Sequence, residues 1–298
     1  MSRPPRVSIA IPVYNGGDLF RETLDSFLSQ TFCDFEILIS DNASTDQTEE
    51  IGREYVAKDP RVQYYRNEKN VGLGPNHNRI FGLARGDYFK WSPADDLYAP
   101  TYLERCVQVL DSDPSIVIAY PKTRFINVDG EPLSIEDPGW HLISESAAER
   151  FRYVLRPRGH WANVILGLIR TEALARTRLM PAYPGGDFRV IGELSLVGKF
   201  FEVPEYLFFR RLHERSSSQH VKDLSWETVY WNGRGEKLPW PFLHLKADYL
   251  QILVQSRLTV REKISVFGSL VRSIIGGRKS MLEEMQMHAN FYFRKRAF

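Results

Sequence analysis

Long apolar runs are missing from this chain of 298 residues. No stretch approaches the roughly 20 residues needed to span a bilayer, and the opening Met-Ser-Arg-Pro-Pro-Arg leads into a strand pattern without the apolar centre of a secretory signal. Cysteine is scarce. Cys33 and Cys106 stand in segments that read as helical or at a helix end, with no C-x-x-C and no disulfide framework. That predicts a reducing, cytoplasmic setting and two buried, inert thiols. A net charge of +2 is too close to neutral to favour nucleic acid as a partner. Glycine-rich phosphate loops are lacking as well. Neither G-x-G-x-x-G nor G-x-x-x-x-G-K follows the first strand, which removes the main support for a dinucleotide or P-loop site. What remains is an ordinary globular composition, 43% hydrophobic and 26% charged, enough for one large domain or two small ones.

Strand and helix signals alternate through the first third. Val7-Ser-Ile-Ala-Ile-Pro-Val13 is a β-branched run, and after Gly16-Gly17 the residues Leu19, Thr23, Leu24, Phe27 and Leu28 recur at helical spacing with Asp18 placed to cap. The unit repeats. An apolar run over 35–40 passes through Asp41-Asn-Ala-Ser-Thr-Asp46 into a helix carrying Ile51, Tyr55 and Val56, and a strand over 62–65 follows. A helix near 76–84 precedes a strand over 87–91. This pattern predicts a mainly parallel sheet covered on both faces, with ligands bound beyond the carboxyl ends of the strands. Asn15, Asp41 and Asp95-Asp96 each follow a predicted strand, so three loops converge on one edge.

Asp95-Asp96 is the hardest of these to explain by folding alone. Two like charges at a strand end gain nothing from each other, whereas a hard divalent cation carrying a diphosphate needs one or two carboxylates there. The loop after Asp41 reads equally well as a turn with a helix cap or as a ligand site. Tyr14-Asn-Gly-Gly reads either as packing or as an aromatic platform for a base, with glycines admitting close backbone approach.

Val7-Ser-Ile-Ala-Ile-Pro-Val-Tyr-Asn, the run from Ser29-Gln-Thr-Phe-Cys-Asp-Phe-Glu-Ile to Asp46, Asn70-Val-Gly, Ala84-Arg-Gly-Asp-Tyr and Ala94-Asp-Asp together resemble family 2 inverting glycosyltransferases with the GT-A fold. Order and spacing match over 7–120, and more loosely to about Ser218. The resemblance implies a Rossmann-like α/β catalytic domain over 1–220, its nucleotide-sugar half at 1–120 and its acceptor side at 121–220; it ends near His220, and helical spacing beyond that predicts a helical extension at 221–298. It implies transfer of a sugar from a UDP-sugar, or alternatively a dTDP-sugar, to a glycan, lipid-linked or small-molecule acceptor, assisted by Mn²⁺ or Mg²⁺. Tyr14 would stack on the nucleobase and Asp41 accept its imide N–H. Pro12 and Asn15 would shape that pocket, Asp95 would lie near the ribose and phosphates, and Asp96 would ligate the cation. Two departures stand out. Ala94 occupies a position where the family often has a further Asp, and His77 one where it has an Arg near the diphosphate, so permanent charge is lost there.

Further on, Gly185-Gly-Asp-Phe-Arg resembles the family's Glu-Asp-Tyr segment with Gly186 in place of the Glu. That makes Asp187 the match for the catalytic base. A helix cap is the other reading of Asp187 and base the favoured one, because the glycines leave room for an acceptor. Glu193 is the alternative carboxylate. Arg210, Arg211, His213 and Arg215 cluster after an apolar strand, as suits a diphosphate. By resemblance His213 approaches the metal or the diphosphate, with Arg210 or Arg211 nearby, and the loop 216–218 closes over the donor. The segment 125–183 reads as irregular, and Trp140 or Trp161 there is either buried or a sugar platform.

From 257 to 298 nine Lys/Arg face three Asp/Glu. From 249 to 275, Tyr249, Leu250, Leu253, Val254, Ile264, Phe267, Val271, Ile274 and Ile275 recur at helical spacing. This apolar face is expected to pack on the domain or a second subunit, forming a homodimer, with an anionic membrane surface as the less favoured alternative. Two other function classes compete, a sugar-phosphate nucleotidyltransferase and a non-catalytic sugar-nucleotide-binding paralogue. The first lacks its phosphate loop here, and the second has no need of Asp187.

Overall fold

The expected alternation is present. A computed structural model describes residues 3–135, 137, 139–156, 161–214 and 240–295. In chain order its elements are β1 (Val7–Val13), α1 (Leu19–Leu28), β2 (Phe35–Asp41), α2 (Thr48–Lys58), β3 (Val62–Arg66), α3 (Leu73–Phe81), β4 (Tyr88–Trp91), β5 (Leu97–Tyr98), α4 (Tyr102–Ser112) and β6 (Ile116–Ile126). There follow α5 (Ala147–Val154), a short 3-10 helix (Ala162–Leu166), β7 (Leu168–Arg170), α6 (Thr171–Leu174), α7 (Asp187–Val197), β8 (Lys199–Arg211), α8 (Pro241–Gln255), α9 (Val260–Gly276) and α10 (Arg278–Lys295).

The eight strands form one sheet in the order β3-β2-β1-β4-β7-β6-β8-β5. From β3 to β4 all pairs are parallel; β1, β2 and β4 are buried on both faces and largely apolar, while β3 at the edge is half-exposed. β7 then pairs antiparallel with both β4 and β6, β8 runs parallel to β6, and β5 closes the edge antiparallel to β8. The sheet is therefore mixed. β4 enters beside β1 at Gly86, where a Cβ would stand 2.6 Å from the Ser8 nitrogen and 2.8 Å from the Val7 carbonyl carbon, so the close approach of backbones requires glycine.

Several expectations are corrected. Cys33 is exposed in the loop after α1, while Cys106 is buried in α4. Asp18 occupies the N-cap position of α1 but caps nothing, its carboxylate accepting instead from Gln47 Nε2 at 2.7 Å. α3 starts three residues before the expected helix and ends three residues sooner. The segment 125–183 is only partly irregular, since it also holds α5, β7 and α6. β7 and α6 are three and four residues long, too short for any periodicity to register. α5 does carry a signal, for its N-cap Ser146 accepts from Glu149 N in the Ser-x-x-Glu pattern of a helix start.

The C-terminal helices belong to the central core. Tyr249, Ile252 and Leu253 of α8 and Val266 and Leu270 of α9 share one buried cluster with Phe151 of α5 and Ile191 of α7. The apolar stripe read from the sequence is divided: Ile264, Phe267, Val271, Ile274 and Ile275 of α9 stay on the surface, as do Leu250 and Val254 of α8. α9 carries apolar residues on two faces, and helical spacing alone does not say which one is covered. No described helix is long and apolar enough to cross a membrane. The expected boundary at 220/221 lies outside the described residues.

Tyr249 is the pin of this packing, its ring edge-on to Phe151 at 5.9 Å between centroids and its hydroxyl 3.4 Å from the Phe188 carbonyl oxygen. Tyr249→Ala should lower stability in urea denaturation by about 3 kcal/mol. A loss under about 1 kcal/mol would mean that α8 is not integral to the domain.

Candidate active site

Parallel pairing sets Val13 of β1 beside Asp41 of β2, which brings their two loops together. Asn15 adopts the left-handed conformation, φ 55°, that Asn tolerates better than most residues. Its Oδ1 accepts from Thr45 N at 2.8 Å and its own N–H donates to Ser44 Oγ at 2.9 Å, so one residue ties both loops. Tyr14 stands 46% exposed at this mouth and Pro12 is half-buried beneath it.

Asp41 is completely buried. Oδ1 accepts from Ser44 N at 2.8 Å, the turn role, and Oδ2 accepts from the Tyr64 hydroxyl and from Arg66. Arg66 is one-third exposed and forms the outer wall. Tyr64 and Arg66 are partners of Asp41 that the motifs do not reveal. The available signal is the arginine ending β3, which the register sets opposite Asp41.

Ser92 to Asp96 leave β4 and turn into β5, whose Leu97 and Tyr98 pair with Phe209 and Phe208 of β8. The ladder continues through a side chain, Asp96 Oδ1 accepting from Arg211 N at 2.8 Å. Asp96 is 2% exposed, and burial together with the neighbouring Asp95 carboxylate pushes it up to about 8. Asp95 is the accessible one of the pair and reaches His213 Nε2 at 2.9 Å. Among the described residues no group of three His, Cys, Asp or Glu forms a ready cation cage. The Asp95–His213 pair nevertheless fits a divalent cation of the kind that takes one or two protein ligands and fills its shell with phosphate oxygens and water. A cation beside the pair would also offset the cost of ionising the buried Asp96 carboxyl.

Behind Asp96 lies Lys90, fully buried. Its ammonium donates to the Leu166 carbonyl and sits 4.4 and 4.7 Å from the Tyr98 and Tyr102 ring centres. Desolvation lowers it to about 7, against the pull of Cys106 and Asp96. In sequence it looks like an ordinary charged residue in a strand.

Arg210 and Arg211 leave β8 on opposite faces, as successive strand residues do. Arg211 is 3% exposed and donates to Glu22 Oε2 at 2.6 Å, so it braces β8 against α1. Arg210 turns the other way. Its guanidinium lies 4.8 Å from the Trp161 ring centre, donates to Asn163, and exerts its charge on both Asp96 and Asp187. Asn163, 2% exposed, holds it in place and donates in turn to Thr123 and Asp137.

Asp187 opens α7 with Gly186 at the N-cap, and its side chain accepts from the adjacent Phe188 N at 2.9 Å. No cap is formed. Burial raises its carboxyl to about 6, moderated by that hydrogen bond and by Arg210. Glu193 is engaged elsewhere, accepting from Arg178 N and Nε. Trp140 is buried and donates to the Trp161 carbonyl, which rules it out as a sugar platform, and Trp161 supports Arg210. His77 is half-buried in α3, held to Leu73 O at 2.9 Å and lowered by burial to about 4, so it is neutral at pH 7. Arg215 and the loop 216–218 lie outside the described residues.

Residues 8–167 match the family model described as glycosyl transferase family 2, which is more than half of the chain. Chondroitin synthase from Escherichia coli is 36% identical over 234 residues, covering 77% of this chain and 32% of that protein. The chain spans between about a third and a half of the length of this and the next curated relatives it matches. Among solved structures, S. aureus TarS 1-349 in complex with UDP-GlcNAc superposes with a TM-score of 0.68 at 17% identity, covering 91% of this chain and 73% of that one. The Pyrobaculum calidifontis mannosyltransferase PcManGT, in complex with GDP-Man and Mn²⁺, superposes with a TM-score of 0.54 at 16% identity, covering 98% and 81%. Both show a common GT-A fold.

Proposed function

The chain belongs to glycosyl transferase family 2, and we propose that it moves a sugar from a nucleoside-diphosphate donor to an acceptor hydroxyl with inversion at the anomeric carbon. The observation that carries the reading is Asp187, a carboxylate raised to about 6 across Arg210 from the Asp95–Asp96 pair. A base must be unprotonated yet proton-hungry at working pH, and this value satisfies both. Asp187 takes the acceptor proton while the hydroxyl oxygen attacks the anomeric carbon from the side opposite the departing diphosphate. Arg210, held over Trp161, places positive charge where the leaving group gains negative charge.

Donor binding rests on the edge formed by β1 and β2. Tyr14 offers an exposed ring to the base. Asp41 has roughly four lone-pair sites, of which Ser44, Tyr64 and Arg66 take three. A pyrimidine imide N–H suits the remainder once Arg66 swings outward, which supports UDP first and dTDP second. Pro12 and Asn15 shape the mouth, and neutral His77 contributes no charge to the diphosphate.

The burial of Asp96 supports a different division of labour from the one the family resemblance implies. We place the cation on Asp95 and His213, and give Asp96 the task of fixing β8. A bound Mn²⁺ or Mg²⁺ would supply Lewis-acid stabilisation of the leaving diphosphate. The stripe of Ile264, Phe267 and Val271 on α9, with Arg257, Arg261 and Lys263 in the same stretch, supports peripheral contact with an anionic membrane surface or a second copy.

Asp187→Asn should keep UDP affinity within a few-fold while turnover drops by about 10²–10⁴. In the wild type, turnover should rise with pH through about 6 as Asp187 loses its proton; near-normal turnover of the variant would remove Asp187 as base. In thermal-shift titrations, Asp95→Asn should lose the Mn²⁺-dependent part of the UDP shift, whereas Asp96→Ala, which removes the acceptor for Arg211 N, should lower stability without UDP. The reverse outcome would return the cation to Asp96. Full-length chain should pellet with anionic vesicles and Phe267→Asp should not; if neither pellets and sedimentation shows a dimer lost in Phe267→Asp, the stripe is a subunit contact.

A further inference from the structure

A cavity of about 680 Å³ opens between α5, the segment 141–144 and α9, away from the nucleotide loops. Its size is within the roughly 300–1,000 Å³ of small-molecule sites and far beyond a single hydrated ion. Four arginines line it, Arg150, Arg152, Arg156 and Arg272, against one carboxylate, Glu149. Glu149 is already engaged, accepting from Ser144 Oγ at 2.5 Å and lying 3.7 Å from Arg152. Arg150 is 6% exposed and its guanidinium is hydrogen-bonded to the carbonyls of Ser195, Ser144 and Glu145, with no carboxylate in direct ion-pair contact among the described residues, although the nearby Glu145 acts on it at longer range. Arg272 donates to Ser269 Oγ at 2.9 Å, and Arg156 lies 5.4 Å from the Tyr153 ring centre. Neither forms an ion pair with an acid among the described residues.

We propose that this cavity binds an acidic saccharide, a stretch of acceptor glycan bearing carboxylate or phosphate groups. Guanidinium groups match both anions in planar, two-bond geometry. The hydroxyls of Ser144, Ser269 and Ser273 suit sugar hydroxyls, and the Tyr153 ring suits a sugar's C–H face. A lipid is disfavoured by the helix geometry. At 100° per residue, Ser269, Arg272 and Ser273 lie on the side of α9 turned away from Val260, Ile264 and Phe267, so a headgroup in the cavity would not bring its chains to the apolar stripe. The position suits an acceptor: Tyr153 packs on Trp140 at 6.1 Å, and Trp140 on Phe188 at 6.0 Å, next to Asp187. The inference rests on the transferase reading, because it makes the bound chain the acceptor's extension.

The test is calorimetric titration of the full-length protein with trigalacturonate, maltotriose and inorganic phosphate, repeated on the double variant Arg152→Gln/Arg272→Gln, with UDP as an independent control. Trigalacturonate should bind at least tenfold tighter than maltotriose and than phosphate, weaken as salt rises, and lose at least tenfold in the variant, while UDP binding stays unchanged. No binding of trigalacturonate, equal binding in the variant, or maltotriose binding equally well would overturn the proposal. Phosphate binding as tightly as trigalacturonate would overturn it in favour of a small-anion site. Failure of UDP to bind would count against the transferase reading instead, and it is scored separately.

Discussion

One hydrogen bond joins residues 115 positions apart, Arg211 N to Asp96 Oδ1, and the candidate site is arranged around it. It prolongs the antiparallel pairing of β5 with β8 by one side chain, and so sets the end of β8 against the turn after β4. With that register fixed, His213 meets Asp95, Arg211 reaches back to Glu22, and Arg210 is directed to the opposite face. Such a bond stabilises a buried carboxylate by satisfying it, yet the group remains costly to ionise. The cost is concentrated where a cation would relieve it.

Charge in the interior is balanced in layers. Lys90 lies behind Asp96 in a cage of aromatic faces and carbonyl dipoles, which hold an ammonium without an ion pair. Arg210 lies between the two acidic centres and moderates both. Fixed groups of this kind need no reorganisation as charge develops. The asparagines nearby serve the same end. Asn42, Asn67 and Asn76 form a buried hydrogen-bonded chain with Ser40, and satisfied buried amides rigidify the strand ends from which the loops spring.

Much of the first half is legible in the amino-acid sequence. β1 and β2 are largely apolar runs, and their lengths and loops follow from local chemistry. The second half is less so. β7 is three residues long and is held by pairing on both sides, so it has no pattern of its own. The apolar residues of α9 announce a helix but not its orientation, and the stripe expected to be buried is the exposed one. Cys33 obeys the same logic, because a residue at a helix end is covered or bare according to what packs over it.

The sequence by itself determined which chemical groups stand at the strand ends, Tyr14, Asn15, Asp41, Asp95-Asp96, and with them the family, because strand period and turn chemistry are local properties. Tertiary structure decided which carboxylate is buried and which accessible, which arginine meets the site, and which side of α9 is covered. Those outcomes depend on strand register across more than a hundred residues and on competition between faces for one core, and neither is written in any local stretch of the chain.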